Sequence, residues 1–376
     1  MESYLTAHIS ASAIRANLAL LRGRLSPGTK LCAVVKADCY GHGQDLLSGL
    51  LSEEADCLAV ATPEEALHLR HLGSRLPILV FFSACAYAEG AERRDALEAL
   101  IAADVWLTVV SPLEVAWLAE AARRVGRSAQ VHVKIDSGMG RSGVLPEAAP
   151  DLIRRIRQEP SLRLVGLYTH FATADEADKA YTEQQLQRFL AAVEASGGRS
   201  GLLLHAANSA ATIDLPHTHL DMVRPGIALY GYQPSDQMRV KLPLRPALRL
   251  TAPLTQVKSL PAGSRCGYGL RHTFARESCV GLVPVGYGDG YFRCLTGKAA
   301  VRVRGRMAPV RGTVSMDQII VDLTDVPGAA VGDEVEILSP DPAAPHSVEN
   351  LARLAGTIPY EVTCRLGHRV RRVLVD

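Results

Sequence analysis

A chain of 376 residues, 48% of them apolar, exceeds the size at which one hydrophobic core usually stops growing, so two domains with a large core are expected. Lys and Arg total 41 against 39 Asp and Glu, a net charge of +2, which argues against nucleic acid or an anionic membrane as a partner and leaves a small-molecule site. The stretch Met1-Glu-Ser-Tyr-Leu-Thr-Ala-His-Ile-Ser10 is unlike a signal peptide, no apolar run approaches the ~20 residues that span a bilayer, and the eight cysteines (Cys32, Cys39, Cys57, Cys85, Cys266, Cys279, Cys294, Cys364) form no C-x-x-C pair, so a cytoplasmic protein with free thiols and no metal is expected.

Apolar, strand-like runs recur at residues 31–37, 57–62, 77–82, 105–111, 130–137, 162–171, 201–208 and 222–231, separated by Ala-, Leu- and charge-rich stretches at helical spacing. This alternation predicts a parallel sheet, and eight parallel strands close into an α/β fold, a (β/α)8 TIM-type barrel. Helix starts follow several runs: Thr62-Pro63-Glu64-Glu65 and Ser111-Pro112-Leu113-Glu114 both place a capping hydroxyl before a proline and first-turn carboxylates. After about Gly231 helical periodicity fades. Short alternating runs such as Ala300-Val-Arg-Val-Arg304 and Gln318-Ile-Ile-Val-Asp322 predict a C-terminal mainly-β domain. The turn-rich stretch from Gln233 to Pro243 reads as the linker, which divides the chain into a barrel at 1–236 and a β domain at 237–376.

The first run, Leu31-Cys-Ala-Val-Val-Lys36, delivers a lysine to the turn Ala37-Asp-Cys-Tyr40-Gly-His-Gly43. Burying an ammonium without a partner costs several kcal/mol unless its pKa falls or it becomes an imine with an aldehyde. Tyr40 among glycines can hold a phosphate at a helix start, so together these are parts of a pyridoxal phosphate site. Chemistry in such barrels sits at the carboxyl ends of the strands. There Lys36 closes the first strand, Asp136 and Arg141 follow the fifth, His170 ends the sixth, Asn208 and Ser209 end the seventh, and Arg224 with Gly226 falls in the eighth. Taken singly, each has a structural explanation, such as a lysine reaching solvent, a satisfied histidine or an ordinary Asn-Ser cap. Their convergence on one rim favours a site.

Nearly the whole chain resembles bacterial alanine racemases, through Ala33-Val-Val-Lys-Ala-Asp-Cys-Tyr-Gly-His-Gly43, Lys134-Ile-Asp-Ser-Gly-Met-Gly-Arg141, Tyr168-Thr-His-Phe-Ala-Thr-Ala-Asp175, Ala207-Asn-Ser-Ala210, Val223-Arg-Pro-Gly-Ile-Ala-Leu-Tyr-Gly231, Gly267-Tyr-Gly269, Gly286-Tyr-Gly-Asp-Gly-Tyr291, Ser315-Met-Asp-Gln318 and Ile358-Pro-Tyr-Glu361. The resemblance implies a pyridoxal 5′-phosphate enzyme that interconverts L- and D-alanine and supplies D-alanine for peptidoglycan. It further implies a head-to-tail homodimer in which each β domain covers its neighbour's barrel mouth.

Racemisation needs a base on each face of the cofactor, and the resemblance makes these Lys36 and Tyr268. A phenol with an ordinary pKa of about 10 must be stabilised as phenolate to serve, at ~1.4 kcal/mol per unit. Counterparts of His170 and Arg224 link that tyrosine to the pyridine nitrogen, and an arginine there keeps the nitrogen unprotonated, restraining side reactions. By the same resemblance Tyr40, Ser209, Gly226, Ile227 and Tyr360 surround the cofactor phosphate, and Asn208 also binds the cofactor. Arg141 serves the cofactor phenol oxygen and the substrate carboxylate, Tyr287, Met316 and Asp317 line the substrate side, and Lys134 matches a carbamylated lysine. Interdomain packing is an equal explanation for Tyr287 and Tyr360. Asp38, where many relatives have Asn, and Ser315, where cysteine is common, are departures. A serine or broad-specificity racemase is the alternative, which Tyr360 disfavours only mildly, since a methylene-scale difference is worth ~1–3 kcal/mol. A decarboxylase or a cofactor carrier on the same barrel lacks the Tyr268 and Met316–Asp317 features.

Overall fold

Runs of apolar, often β-branched residues suit strands covered on both faces, and the eight runs of the first part form such a parallel set. The computed structural model describes residues 4–83 and 90–376, so Cys85 lies outside the described residues. Strands β2 (Lys30–Val34), β3 (Cys57–Val60), β4 (Ile78–Ser83), β5 (Trp106–Val109), β6 (Ala129–Lys134), β7 (Leu162–Tyr168), β8 (Leu203–His205) and β9 (Met222–Val223) close into a barrel, each parallel to its neighbours. Both anticipated capping boxes are present. Glu65 returns a carboxylate to the Thr62 N–H at 3.2 Å, and Glu114 accepts from the Ser111 N–H at 2.9 Å.

The strands stop short of the runs that announced them. β2 ends at Val34 and β7 at Tyr168, while β9 has two residues before Pro225, which has no N–H for the ladder, and the short helical turn Ile227–Tyr230. Lys36, His170, Asn208, Ser209, Arg224 and Gly226 therefore sit just beyond strand ends, not on strands.

The second domain is built on β10 (Leu248–Pro253), β11 (Gln256–Leu260), β12 (Arg265–Cys266), β13 (His272–Thr273), β14 (Ser278–Val283), β15 (Ala300–Val303), β16 (Arg306–Arg311), β17 (Ile319–Asp322), β18 (Glu334–Leu338) and β19 (Arg371–Val375). β12 and β13 form a separate ribbon, and the others join a nine-stranded sheet in the order β11-β14-β17-β16-β15-β18-β10-β1-β19. Its member β1 (Thr6–Ser10) corrects the division drawn from sequence, which counted residues 6–10 with the barrel. Only Ala7 and Ile9 of this strand are buried, so it fits a sheet with one wet face, and it lies antiparallel to β10 and parallel to β19. One contiguous apolar core runs from the barrel into this sheet. No helix among the described residues is long and apolar enough to cross a membrane.

Candidate active site

Lys36 opens a turn of unusual hand. Ala37, Asp38, Cys39 and Tyr40 have φ of 51°, 55°, 53° and 53°, four successive left-handed residues without a glycine. Each such residue costs roughly 1–2 kcal/mol, so the turn stores on the order of 4–8 kcal/mol that surrounding contacts must offset. Inside it, the Gly41 and Gly43 N–H groups donate to the Ala37 and Asp38 carbonyls, both at 2.9 Å. From outside, Glu65 Oε1 accepts the Ala37 N–H at 2.6 Å, and Arg372 Nε donates to the Gly41 carbonyl at 2.8 Å. The result sets a half-buried Lys36 at the barrel mouth. Burial, and then the nearby Arg141 cation, push its amine below the ordinary lysine value, which favours the nucleophilic form.

Tyr40, at the end of the turn, packs its ring 5.2 Å from Tyr230 and 6.1 Å from Tyr360. Its hydroxyl lies against Gly226, where a Cβ would stand 2.3 Å from that oxygen. The Ser209 hydroxyl accepts the Gly226 N–H at 2.8 Å, and the Ile227 N–H opens a helical turn, where the first donors have no intrahelical partner. Two hydroxyls and helix-start amides around a glycine are a donor set for a phosphate. Asn208 stands at the edge of this cradle, its side-chain oxygen capping the helix Ser209–Asp214 through the Ala211 N–H at 3.0 Å. Gly41, expected from the sequence to lie beside a phosphate, serves packing instead. A Cβ there would lie 2.0 Å from the Thr363 carbonyl, so the glycine admits the helix Pro359–Cys364 that carries Tyr360.

Across the mouth, Arg224 is buried. It donates to the Thr169 and Ala206 carbonyls at 2.8 and 3.1 Å and to His205 Nδ1 at 2.7 Å. Accepting at Nδ1 leaves the His205 proton on Nε2, 3.0 Å from His132 Nδ1, so three side chains run in line beneath the mouth. Tyr168 stacks on His205 at 4.8 Å, and Arg224 lies 5.3 Å above the Tyr168 ring centre. Burial and the Arg224 charge hold His205 and His132 well below the ordinary imidazole value, which keeps them neutral. Burial also lowers Arg224, to about 10, still a cation at neutral pH.

Lys134, at the end of β6, is 8% exposed and pushed down to about 8 by burial and then by Arg141 and Arg224. Its ammonium lies 5.9 Å from the Tyr168 ring centre, and among the described residues no carboxylate comes within ion-pair distance of it. His170 is held far below its ordinary value by burial, then by Arg224 and Arg141. Arg141 is brought round by a turn whose Gly138, Gly140 and Arg141 N–H groups donate to the Asp136 carboxylate at 3.0, 3.1 and 3.0 Å. Although burial opposes ionisation, those amides hold Asp136 below the usual carboxylate range. Lys134, Arg141 and Arg224 thus gather positive charge around Lys36, complementary to an anionic ligand.

Four of the anticipated residues lie elsewhere. Tyr268 is 73% exposed on the short helical turn Tyr268–Leu270, its carbonyl taking the Thr313 hydroxyl at 2.7 Å. Tyr287 and Met316 are 43% and 54% exposed, and the Tyr287 and Gly288 N–H groups donate to the Ser315 and Met316 carbonyls at 3.1 and 2.9 Å. Asp317 is paired at 2.7 Å with Arg369, which also holds Asp289 at 2.9 Å and so braces the Tyr287 turn against the Met316 loop. Among the described residues no hydrogen bond or ion pair joins Tyr268, Tyr287, Met316 or Asp317 directly to Lys36, Tyr40 or Arg224. Sequence reasoning missed His132, His205 and Arg372. The histidines carry a signal, since each interrupts an apolar strand; Arg372 does not, because its partner lies 331 positions away.

Fold and site together define a two-domain barrel protein whose mouth is built for amine and anion chemistry. Residues 9–234 match the family model described as the alanine racemase N-terminal domain and residues 247–374 the one described as the C-terminal domain. The chain belongs to the alanine racemase family. It is 43% identical over 374 residues to alanine racemase of Desulfovibrio desulfuricans, covering 98% of each chain. It is 38% identical over 373 residues to that of Methanococcus maripaludis, covering 98% of this chain and 97% of the other. The solved alanine racemase of Clostridium difficile superposes with a TM-score of 0.92 at 36% identity, covering 100% of this chain and 96% of that one.

Proposed function

We propose that this chain is a pyridoxal 5′-phosphate-dependent alanine racemase that works as a homodimer with shared sites. The observation that carries the proposal is the desolvated Lys36 on the same rim as the Tyr40–Ser209–Gly226 cradle. The residues present fit the cofactor: an amine of lowered pKa for its aldehyde, two hydroxyls and backbone amides for its phosphate, with Asn208, Ile227 and Tyr360 at the edge, and the Arg224 guanidinium for its ring nitrogen. When bound, pyridoxal phosphate withdraws electrons from the substrate Cα and acidifies its hydrogen.

Lys36 then moves a proton at Cα on one face, and its lowered pKa favours the neutral amine that this needs. The opposite face needs a second base. Tyr268 of the partner subunit fills that role, and its exposure on its own chain supports a site completed between two copies. Arg141 holds the substrate carboxylate with its two-pronged fork. Tyr287, Met316 and Asp317 approach with Tyr268, their loops held together by Arg369. His170 and Arg224, kept as neutral imidazole and fixed cation, link the phenol side to the ring-nitrogen side. Lys134, with its pKa near 8 and, among the described residues, no carboxylate within ion-pair distance, is suited to take up carbon dioxide as a carbamate that would hold Arg141, detectable as one added CO2 by mass. The cytoplasmic setting and the supply of D-alanine for peptidoglycan follow the family and are part of the proposal.

The test is to incubate purified, cofactor-loaded protein with L-alanine and separately with L-serine, and to quantify both enantiomers by chiral chromatography. Rapid D-alanine with little D-serine is expected. Faster D-serine would change the substrate, and no inversion of either would overturn the proposal.

A further inference from the structure

The left-handed turn after Lys36 is unfavourable alone, and one of its two outer anchors comes from the far end of the fold. Arg372 lies on β19, opposite Ala7 of β1, with its side chain only 14% exposed. Two of its nitrogens are fixed by its own segment: Nη2 donates to the Leu366 carbonyl at 2.9 Å, and Nη1 donates to the Val370 carbonyl at 3.2 Å. That leaves Nε facing the turn, 2.8 Å from the Gly41 carbonyl and 3.4 Å from Asp38 Oδ2. Gly43 makes room for the approach, since a Cβ there would stand 3.2 Å from Arg372 Cδ. Asp38 bridges the two ends of the arrangement, because its Oδ1 accepts the Gln44 N–H at 2.6 Å where the next helix begins.

We propose that Arg372 and Asp38 are positioning residues for Lys36: the guanidinium, fixed by the 366–370 loop, grips the Gly41 carbonyl and the Asp38 carboxylate and so locks the turn that sets Lys36 and Tyr40 at the barrel mouth. The Asp at 38 is then not an idle departure. An Asn could keep the bond to Gln44, whereas only the carboxylate adds a charge-assisted contact to Arg372. The function assigned to Lys36 rests on the racemase proposal, but the locking of the turn does not.

Three variants of the holoenzyme test it: Arg372→Met, which keeps the aliphatic stem, Asp38→Asn, which keeps the Gln44 bond, and the pair combined. Amide exchange of the Gly41, Gly43 and Gln44 N–H groups is expected to speed at least tenfold in Arg372→Met and two- to threefold in Asp38→Asn, while exchange across the rest of the barrel is unchanged. The rate at which hydroxylamine strips the cofactor from Lys36 should rise in the same order, and kcat should fall with little change in KM. The pair should be no worse than Arg372→Met, because both act through one contact. Unchanged exchange at residues 41–44 in both single variants, or exchange rising evenly across the protein, would overturn the proposal. If the parent protein holds no pyridoxal phosphate on Lys36, the functional reading fails while the exchange result still decides whether the turn is locked.

Discussion

At the scale of single residues, one absent Cβ decides the cradle. A Cβ added at Gly226 would meet the Tyr40 phenol, whose hydroxyl oxygen would stand 2.3 Å from it. Gly226→Ala is therefore expected to displace Tyr40 and weaken pyridoxal phosphate affinity at least tenfold, about 1.4 kcal/mol, with a fall of only a few degrees in Tm, both readable by cofactor titration and calorimetry. Lys36→Ala should lower racemisation by ~10²–10⁴-fold or more and leave no cofactor fixed by borohydride, checked by chiral chromatography and mass. Which residues gather was legible in the sequence, because Lys36, Arg141, His170 and Arg224 each interrupt or follow an apolar run. How they are presented was not. Ala37, Cys39 and Tyr40 have no preference for left-handed backbone, and the contacts that impose it come from Glu65 and Arg372, 28 and 331 positions away from their partners.

At the scale of elements, the barrel strands were readable because burial on both faces writes an uninterrupted apolar run, and their carboxyl ends were not, because the runs continue into the loops. β1 was missed since five residues with two buried positions look like any short loop until their partners are known. The sheet it joins carries a buried charge cluster that makes its own prediction. Glu336 is held by Arg249, Arg302 and His346 at 2.7, 2.7 and 2.8 Å. Burial alone would raise its pKa, but these partners lower it from 4.5 to about 2. A carboxyl held below its unfolded value adds stability that is complete above about pH 5 and is lost as pH falls toward 2. Glu336→Gln should cost on the order of 3 kcal/mol near pH 7, and the Tm gap between parent and variant should close as the pH drops from 6 to 2.5 in calorimetric scans.

At the scale of the whole molecule, a site divided between two copies has an arithmetic that a single-chain site lacks. Lys36→Ala and Tyr268→Phe should each be inactive as homodimers. Unfolded together, or exchanged at low concentration, and reassembled in equal amounts, they should recover about a quarter of the parent activity, because half the dimers are mixed and each mixed dimer has one intact site of two. A mixture that stays inactive while dimers exchange would place both bases in one chain, and a Tyr268→Phe homodimer with full activity would show that Tyr268 is not the second base. A shared site between two copies was an expectation of the resemblance alone, not of any motif read by itself. Exposure of Tyr268, Tyr287 and Met316 is a property of the folded surface, not of any local pattern.

The sheet order also sets a timetable for synthesis. β1 precedes the eight barrel strands in the chain, yet it pairs with residues near 250 and with Arg371–Val375, so all eight are synthesised before its partners exist. Arg372 rides on the strand that completes this pairing. Until β19 is made, the Lys36 turn has its Glu65 anchor but not its Arg372 anchor, so the step that completes the second sheet also completes the setting of Lys36.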